Sequence, residues 1–234
     1  MEDGPGRVPR VVAWLAAVAA VTYSSWVLGF LLRPGLDVID GYVSELSASD
    51  QPLHWVFAGG DLVTGVIMIG VSIYALVMLR RLPWAVAGWI FLLLFGFWAI
   101  GDATFSMDCA PSMDTACALR ERAGQVSFSH GFHSVTSSAV ITCGIAALLC
   151  LSIAARRYGW WPALARWGWP LALVEAVAAA GTLVLMWAGR WLGLVQRIQI
   201  TILCLGLFLI AWALWQRPRP RRAGRAAGRE EAAV

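Results

Sequence analysis

The chain contains no lysine, so all 18 of its basic side chains are arginine. Charge of either sign is scarce, at 14% of 234 residues against 59% hydrophobic residues and a mean hydropathy of +0.69. That scarcity excludes a water-soluble globular domain, because a core of this size cannot hide so much apolar surface. Cys-x-x-Cys and Cys-x-x-Cys-His spacings are missing, which leaves thiol oxidoreductase and c-type haem chemistry without local support. No internal repeat is evident and no linker is long enough to separate two domains, while low complexity is confined to the C-terminal tail.

What the chain has instead is long apolar runs. Six of them, at residues 11–32, 55–79, 84–106, 128–155, 167–188 and 198–215, approach the roughly 20 residues a helix needs to cross a hydrocarbon layer about 30 Å thick. The runs are continuously apolar where a barrel would alternate, and each must satisfy its own backbone groups in lipid. The expected fold is therefore all-α, a bundle of six transmembrane helices over residues 11–215. A short segment, 1–10, precedes it and a disordered basic tail, 216–234, follows. Pro83 and Pro170 are expected near helix starts, where a missing amide proton costs little.

The arginines give the orientation. Arg7, Arg10, Arg80, Arg81, Arg156, Arg157, Arg166 and six more in the tail make thirteen on one side, against Arg33, Arg120, Arg122, Arg190 and Arg197 on the other. By the positive-inside rule both termini are cytoplasmic, in a multi-pass protein of the cell membrane. The net charge of +4 and the pI near 9.0 thus reflect topology and not nucleic-acid binding. The expected partners are membrane lipids, with the basic tail facing anionic headgroups. Trp84, Trp89, Trp160, Trp161, Trp167, Trp169, Trp212 and Trp215 on the inner side, with Trp26, Trp55, Trp187 and Trp191 on the outer, are expected to anchor at the headgroup level. Arg7 and Arg10 before an alanine-rich run imitate a signal peptide, but the run reaches Leu32, longer than a signal h-region.

Ionisable residues within the apolar runs are costly and mark functional sites by default. Asp61 in the second run, Asp102 in the third, and His130 and His133 at the start of the fourth all lie in the outer leaflet. His54, Gln196 and Arg197 fall at the same level, so these side chains are candidates for an outward-opening polar pocket. Either carboxylate has a structural alternative: Asp102 in particular snorkels or pairs with Arg197 or Arg190. His130 and His133, at i and i+3, share a helix face. With Asp61, Asp102 or His54 as a third ligand they would suit zinc with an open position. The alternative is that Ser127 or Ser129 caps the fourth helix and the histidines hydrogen-bond its neighbours. In the first outer loop, Ser44 or Ser47 could cap a short surface helix, or the segment could act as a lid carrying Glu45 toward the histidines. Glu175 lies among small residues in the fifth run, which suits either a tight helix contact made by a neutral carboxyl or ion-coupled transport. Cys109 and Cys117 share the second outer loop, where a disulfide would constrain the chain by about 2 to 3 kcal/mol. Cys143, Cys150 and Cys204 are expected to pack within helices.

Several of these features together resemble the bacterial integral membrane family labelled domain of unknown function 998. The resemblance is carried by Ser44-Glu45-Leu46-Ser47-Ala48 with Pro52, Gly60-Asp61 with Gly65, Asp108-Cys109, His130 with His133, and Gly193-Leu194 with Gln196-Arg197-Ile198. It implies a six-helix membrane fold and no activity. A fainter likeness is to ceramidase and progestin-receptor-like membrane hydrolases, which set histidines, an aspartate and a serine around zinc. Those have seven helices and His-x-x-x-His, where this chain has six and His-x-x-His. The leading expectation is a pocket for a lipid headgroup or small envelope metabolite. A metal-dependent lipid hydrolase, with Asp61 or Asp102 as ligand or general base, is the second, and an ion-coupled transporter the third.

Overall fold

Each apolar run winds into a helix that starts or stops where local chemistry frees the backbone. The structure is a computed structural model that describes residues 8–32 and 35–216; residues 1–7, Arg33, Pro34 and the tail from Arg217 lie outside the described residues. The first span, Arg10–Leu32, consists of α1 (Arg10–Tyr23), a 3-10 stretch (Ser24–Leu28) and α2 (Gly29–Leu32). Its tightening follows a run of hydroxyls. Thr22 Oγ1 donates to the carbonyls of Val18 and Ala19, and Ser24 Oγ donates to that of Ala20 at 2.8 Å, a back-bonding that bends helices.

The remaining helices are α3 (His54–Met78), α4 (Pro83–Thr104), α5 (Thr115–Arg122), α6 (Phe128–Tyr158), α7 (Pro162–Ala188) and α8 (Leu192–Trp215). Proline occupies the first turn of α4 and α7, where its missing N–H has no intrahelical partner to lose. Gly159 and Gly189, at φ 73° and 66°, end α6 and α7 in the left-handed conformation. Including α1 with its extension, six helices are long and apolar enough to cross a membrane. The short α5 belongs to a loop and was not expected; the Asp114 carboxylate caps it by accepting from Ala116 N–H at 2.9 Å.

Two boundaries depart from expectation. Pro170 lies inside α7, which begins earlier, at Pro162. α8 begins at Leu192, well before residue 198, because Gln196 and Arg197 have hydrogen-bond partners in a neighbouring loop and do not have to stay outside the helix.

The six spans pack in chain order as a closed ring: α1 on α3, α3 on α4, α4 on α6, α6 on α7, α7 on α8, and α8 back on α1. The even number of spans brings both chain ends to one end of the bundle, with Trp14 and Trp215 edge to face at 5.4 Å. Glycines set the closest crossing. A Cβ on Gly65 would stand 2.6 Å from the Gly96 carbonyl oxygen, and one on Gly96 would stand 2.7 Å from that of Gly65, so α3 and α4 meet backbone to backbone. Phe95, Leu92, Met68 and Leu151 fill the interior.

Trp89, Trp160 and Trp161 are buried with this core instead of anchoring at an interface, Trp89 meeting Trp161 edge to face at 5.9 Å. Their rings fill the bundle end where α7 begins. Val66, Val77, Phe97, Val177, Val184 and Trp187 point outward and exposed, the exterior expected of a bundle solvated by lipid.

Candidate functional site

The loops at the bundle end opposite the termini form a fixed cover. The first, 35–53, is stitched to the beginning of α8. Leu194 N–H donates to Ile39 O at 3.0 Å, Val43 N–H to Gln196 Oε1 at 2.7 Å, and Trp191 N–H to Asp40 Oδ1 at 2.6 Å. Arg197 Nη1 donates to the carbonyls of Val38 and Gly41 at 2.9 and 2.8 Å. Gly193 makes this approach feasible, since a Cβ there would lie 2.2 Å from Gly41 O.

Glu45, 1% exposed, fastens the first loop to the second. Its carboxylate accepts from Ser112 N–H at 2.7 Å, from Tyr42 N–H at 3.2 Å and from the Ser112 hydroxyl. Burial raises its pKa, opposed by these hydrogen bonds. The neighbouring Ser44–Ser47 turn is 3-10 and has no side-chain cap; Ser47 Oγ donates instead to Ser44 O. The segment is thus a pinned cover, with Glu45 as a staple.

A second set of bonds fixes the start of α6. Ser127 caps the helix by accepting from His130 N–H at 3.1 Å, and Asp108 accepts from the Ser127 hydroxyl and N–H. These bonds to Ser127, with His130 and Arg120 nearby, hold the Asp108 carboxyl below the usual range against a modest opposing effect of burial. His130 Nδ1 accepts from Asp108 N–H at 3.1 Å while Nε2 faces Glu121 at 3.5 Å. The Cys109–Cys117 disulfide is formed within this loop. Cys143, Cys150 and Cys204 are free and buried.

Beneath the cover lies a cavity of about 70 Å³, space enough for several waters or one small polar group. Asp61, Asp102 and His133 line it; His54, Glu45, His130 and Arg197 do not. Asp102 Oδ1 accepts from Thr136 and Ser137 hydroxyls, both at 2.7 Å, and stands 3.3 Å from His133 Nδ1. It has found hydroxyl partners on α6 and, among the described residues, no arginine. His133 Nδ1 is 2.8 Å from Phe105 O, a geometry that places a proton on that nitrogen, and Nε2 is 3.4 Å from Ser137 Oγ. Of the two acids lining the cavity, Asp61 alone makes no hydrogen bond or ion pair among the described residues.

His130, His133 and Asp61 do not gather into the three-ligand set that zinc would need, and among the described residues no three His, Cys, Asp or Glu side chains do. The physical reason is depth. One imidazole meets the loop at the helix start, and the other, one turn further in, meets Asp102.

Glu175 lies away from the cavity, 1% exposed beside Gln199, and neither of its oxygens has a hydrogen-bond partner. Thr182 Oγ1 instead donates to Gln199 Oε1 at 2.7 Å. Sequence reasoning missed Ser137 and Thr136. Ser137 follows His133 by four residues on one helix face, a signal present in the chain but obscured by the surrounding serines.

The family model described as protein of unknown function (DUF998) matches residues 16–228, and the chain belongs to that family. No curated protein and no solved structure matches it.

Proposed function

We propose that this multi-pass membrane protein binds a small polar ligand, a lipid headgroup or an envelope metabolite, in a cavity that opens on the external face of the cell membrane. Asp61 is the observation that carries the reading: a carboxyl side chain on a cavity wall, with no protein partner among the described residues. Asp61 is half-buried, and a carboxyl drawn partly out of water ordinarily finds a hydrogen-bond partner. The arginine imbalance supports the orientation, with the loop end outside and both termini cytoplasmic.

Two measurements test this. In intact cells an impermeant maleimide labels Ser44→Cys, on the cavity wall, and leaves Arg81→Cys, at the opposite end, unlabelled; the reverse pattern overturns the orientation. In purified protein, a headgroup-sized compound raises the unfolding midpoint of the parent and not of Asp61→Asn. Failure of every such compound would overturn the binding reading.

One observation favours a hydrolytic reading in second place. Ser137, His133 and Asp102 meet in the cavity, with His133 Nε2 3.4 Å from Ser137 Oγ. The Ser137 hydroxyl donates to Asp102, so a proton relay from serine to imidazole is not assembled in this state. Labelling by a serine-reactive fluorophosphonate that disappears in Ser137→Ala would favour hydrolysis over binding alone.

A further inference from the structure

The chemistry of the cavity wall narrows the ligand beyond its being small and polar. Two carboxylates line it, and among the described residues no arginine does. The nearest arginine on α8, Arg197, is turned toward the Val38 and Gly41 carbonyls of the cover and lines a different hollow. An anionic group in the cavity would therefore face two carboxylates with only His133 to offset them.

The two acids are not equivalent. Asp102 is occupied by Thr136, Ser137 and His133. Asp61 has no such partners, and an ionised carboxylate taken out of water is costly unless a cation meets it. Tyr23, Trp26 and Phe57 also line the cavity, and aromatic faces attract cations through their quadrupole. Ser25, Ser44 and Ser47 are also in the lining, and their hydroxyls can accept from N–H donors. A cavity of about 70 Å³ has room for a compact head.

Resting on the reading of this cavity as a ligand site, we infer that its ligand presents an organic ammonium group, with Asp61 as the counter-ion and the Tyr23, Trp26 and Phe57 rings as the apolar wall. Carboxylate and aromatic surface together suit a charged nitrogen carrying short carbon substituents, which a bare metal ion or a phosphate does not match. The ammonium can arrive as a free amine or as the headgroup of a lipid whose chains stay in the bilayer.

The test uses the full chain in nanodiscs of phosphatidylglycerol, with thermal unfolding and calorimetric titration as readouts. Ethanolamine or choline should bind saturably and raise the midpoint, while sodium chloride at equal ionic strength and glycerol phosphate should not. Asp61→Asn should weaken that binding at least tenfold. Trp26→Leu, which leaves both carboxylates in place, should weaken choline binding about threefold or more and supplies the test if the Asp61 variant fails to fold. Nanodiscs containing phosphatidylethanolamine separate the two sources: occupancy by the lipid raises the starting midpoint and blunts the response to free ethanolamine, whereas a free-amine site responds equally in both. Asp61-dependent binding of glycerol phosphate, or a shift reproduced by sodium alone, would overturn the ammonium inference and leave a binding cavity. Absence of binding by any of these compounds would remove both.

Discussion

Replacing Gly193 by alanine should unclasp the cover from α8. The added methyl would sit 2.2 Å from Gly41 O and 2.8 Å from Arg197 Nη1. A carbon and a carbonyl oxygen come no closer than about 3.3 Å without strain, so the loop must withdraw by about 1 Å. Bonds of 2.8 to 3.0 Å joining Gly41, Val38 and Ile39 to α8 would then lengthen past hydrogen-bonding range. Two of the three involve the Arg197 guanidinium. At about 1 kcal/mol for the neutral bond and about 1.5 kcal/mol for each charged one, less whatever relaxation recovers, the cost is about 2 to 4 kcal/mol. Gly70→Ala is the matched control. That glycine lies in mid-α3 with nothing within 4 Å of the added methyl, so alanine should be neutral or stabilise by up to about 1 kcal/mol. Thermal unfolding in detergent, with limited proteolysis of residues 35–53, reads both outcomes. An unchanged midpoint and an equally resistant loop in Gly193→Ala would refute the clasp.

Asp108→Asn should cost about 1 kcal/mol at neutral pH, below the usual range for bonds to a charged acceptor because the site is partly exposed. A carboxyl with a lowered pKa contributes stability that is complete above its ordinary value of 3.8 and is lost as pH falls through the lowered one. The gap between parent and variant should therefore close only in strong acid, and a gap that does not vary with pH would sink the assignment. Glu175→Leu replaces a buried carboxyl that lacks hydrogen-bond partners with an apolar side chain of similar size, and should leave the unfolding midpoint unchanged or raise it. A fall of several degrees would show that the fold depends on that carboxyl.

The sequence made the helices legible because lipid imposes one rule on all of them: about 20 apolar residues with the backbone satisfied internally. The disulfide was legible because two cysteines share one short polar loop. Hydropathy was blind to the start of α8, because Gln196 and Arg197 look like loop residues until their partners Val43, Val38 and Gly41 are known. It was equally blind to Trp89, Trp160 and Trp161, since an indole near a helix end reads the same whether it faces headgroups or a neighbouring ring.

The histidine pair shows why spacing alone misleads about a site. Positions i and i+3 do share a face of α6, but the stretch from Phe105 to Asp108 engages the two rings separately. It takes His130 as an acceptor for Asp108 N–H and leaves His133 to Phe105 and Asp102. A long-range loop path decided which imidazole reached the cavity, and no local pattern encodes it. Asp61 could be picked out by depth alone, because a carboxylate two turns inside a membrane helix is costly wherever it points.

The cover over the cavity is held by contacts within the chain itself. Glu45 joins the first loop to the second, Arg197 and Gln196 join it to α8, and Leu36 and Leu46 pack it on Phe57 of α3. None of these contacts uses Asp61, Asp102 or His133, whereas Gln196, Leu46 and Phe57 both hold the cover and line the cavity. A site assembled this way loses little loop entropy on binding. On the proposed reading its selectivity would follow from charge and shape already in place: a carboxylate without a partner among the described residues, aromatic side chains in the lining, and a small volume.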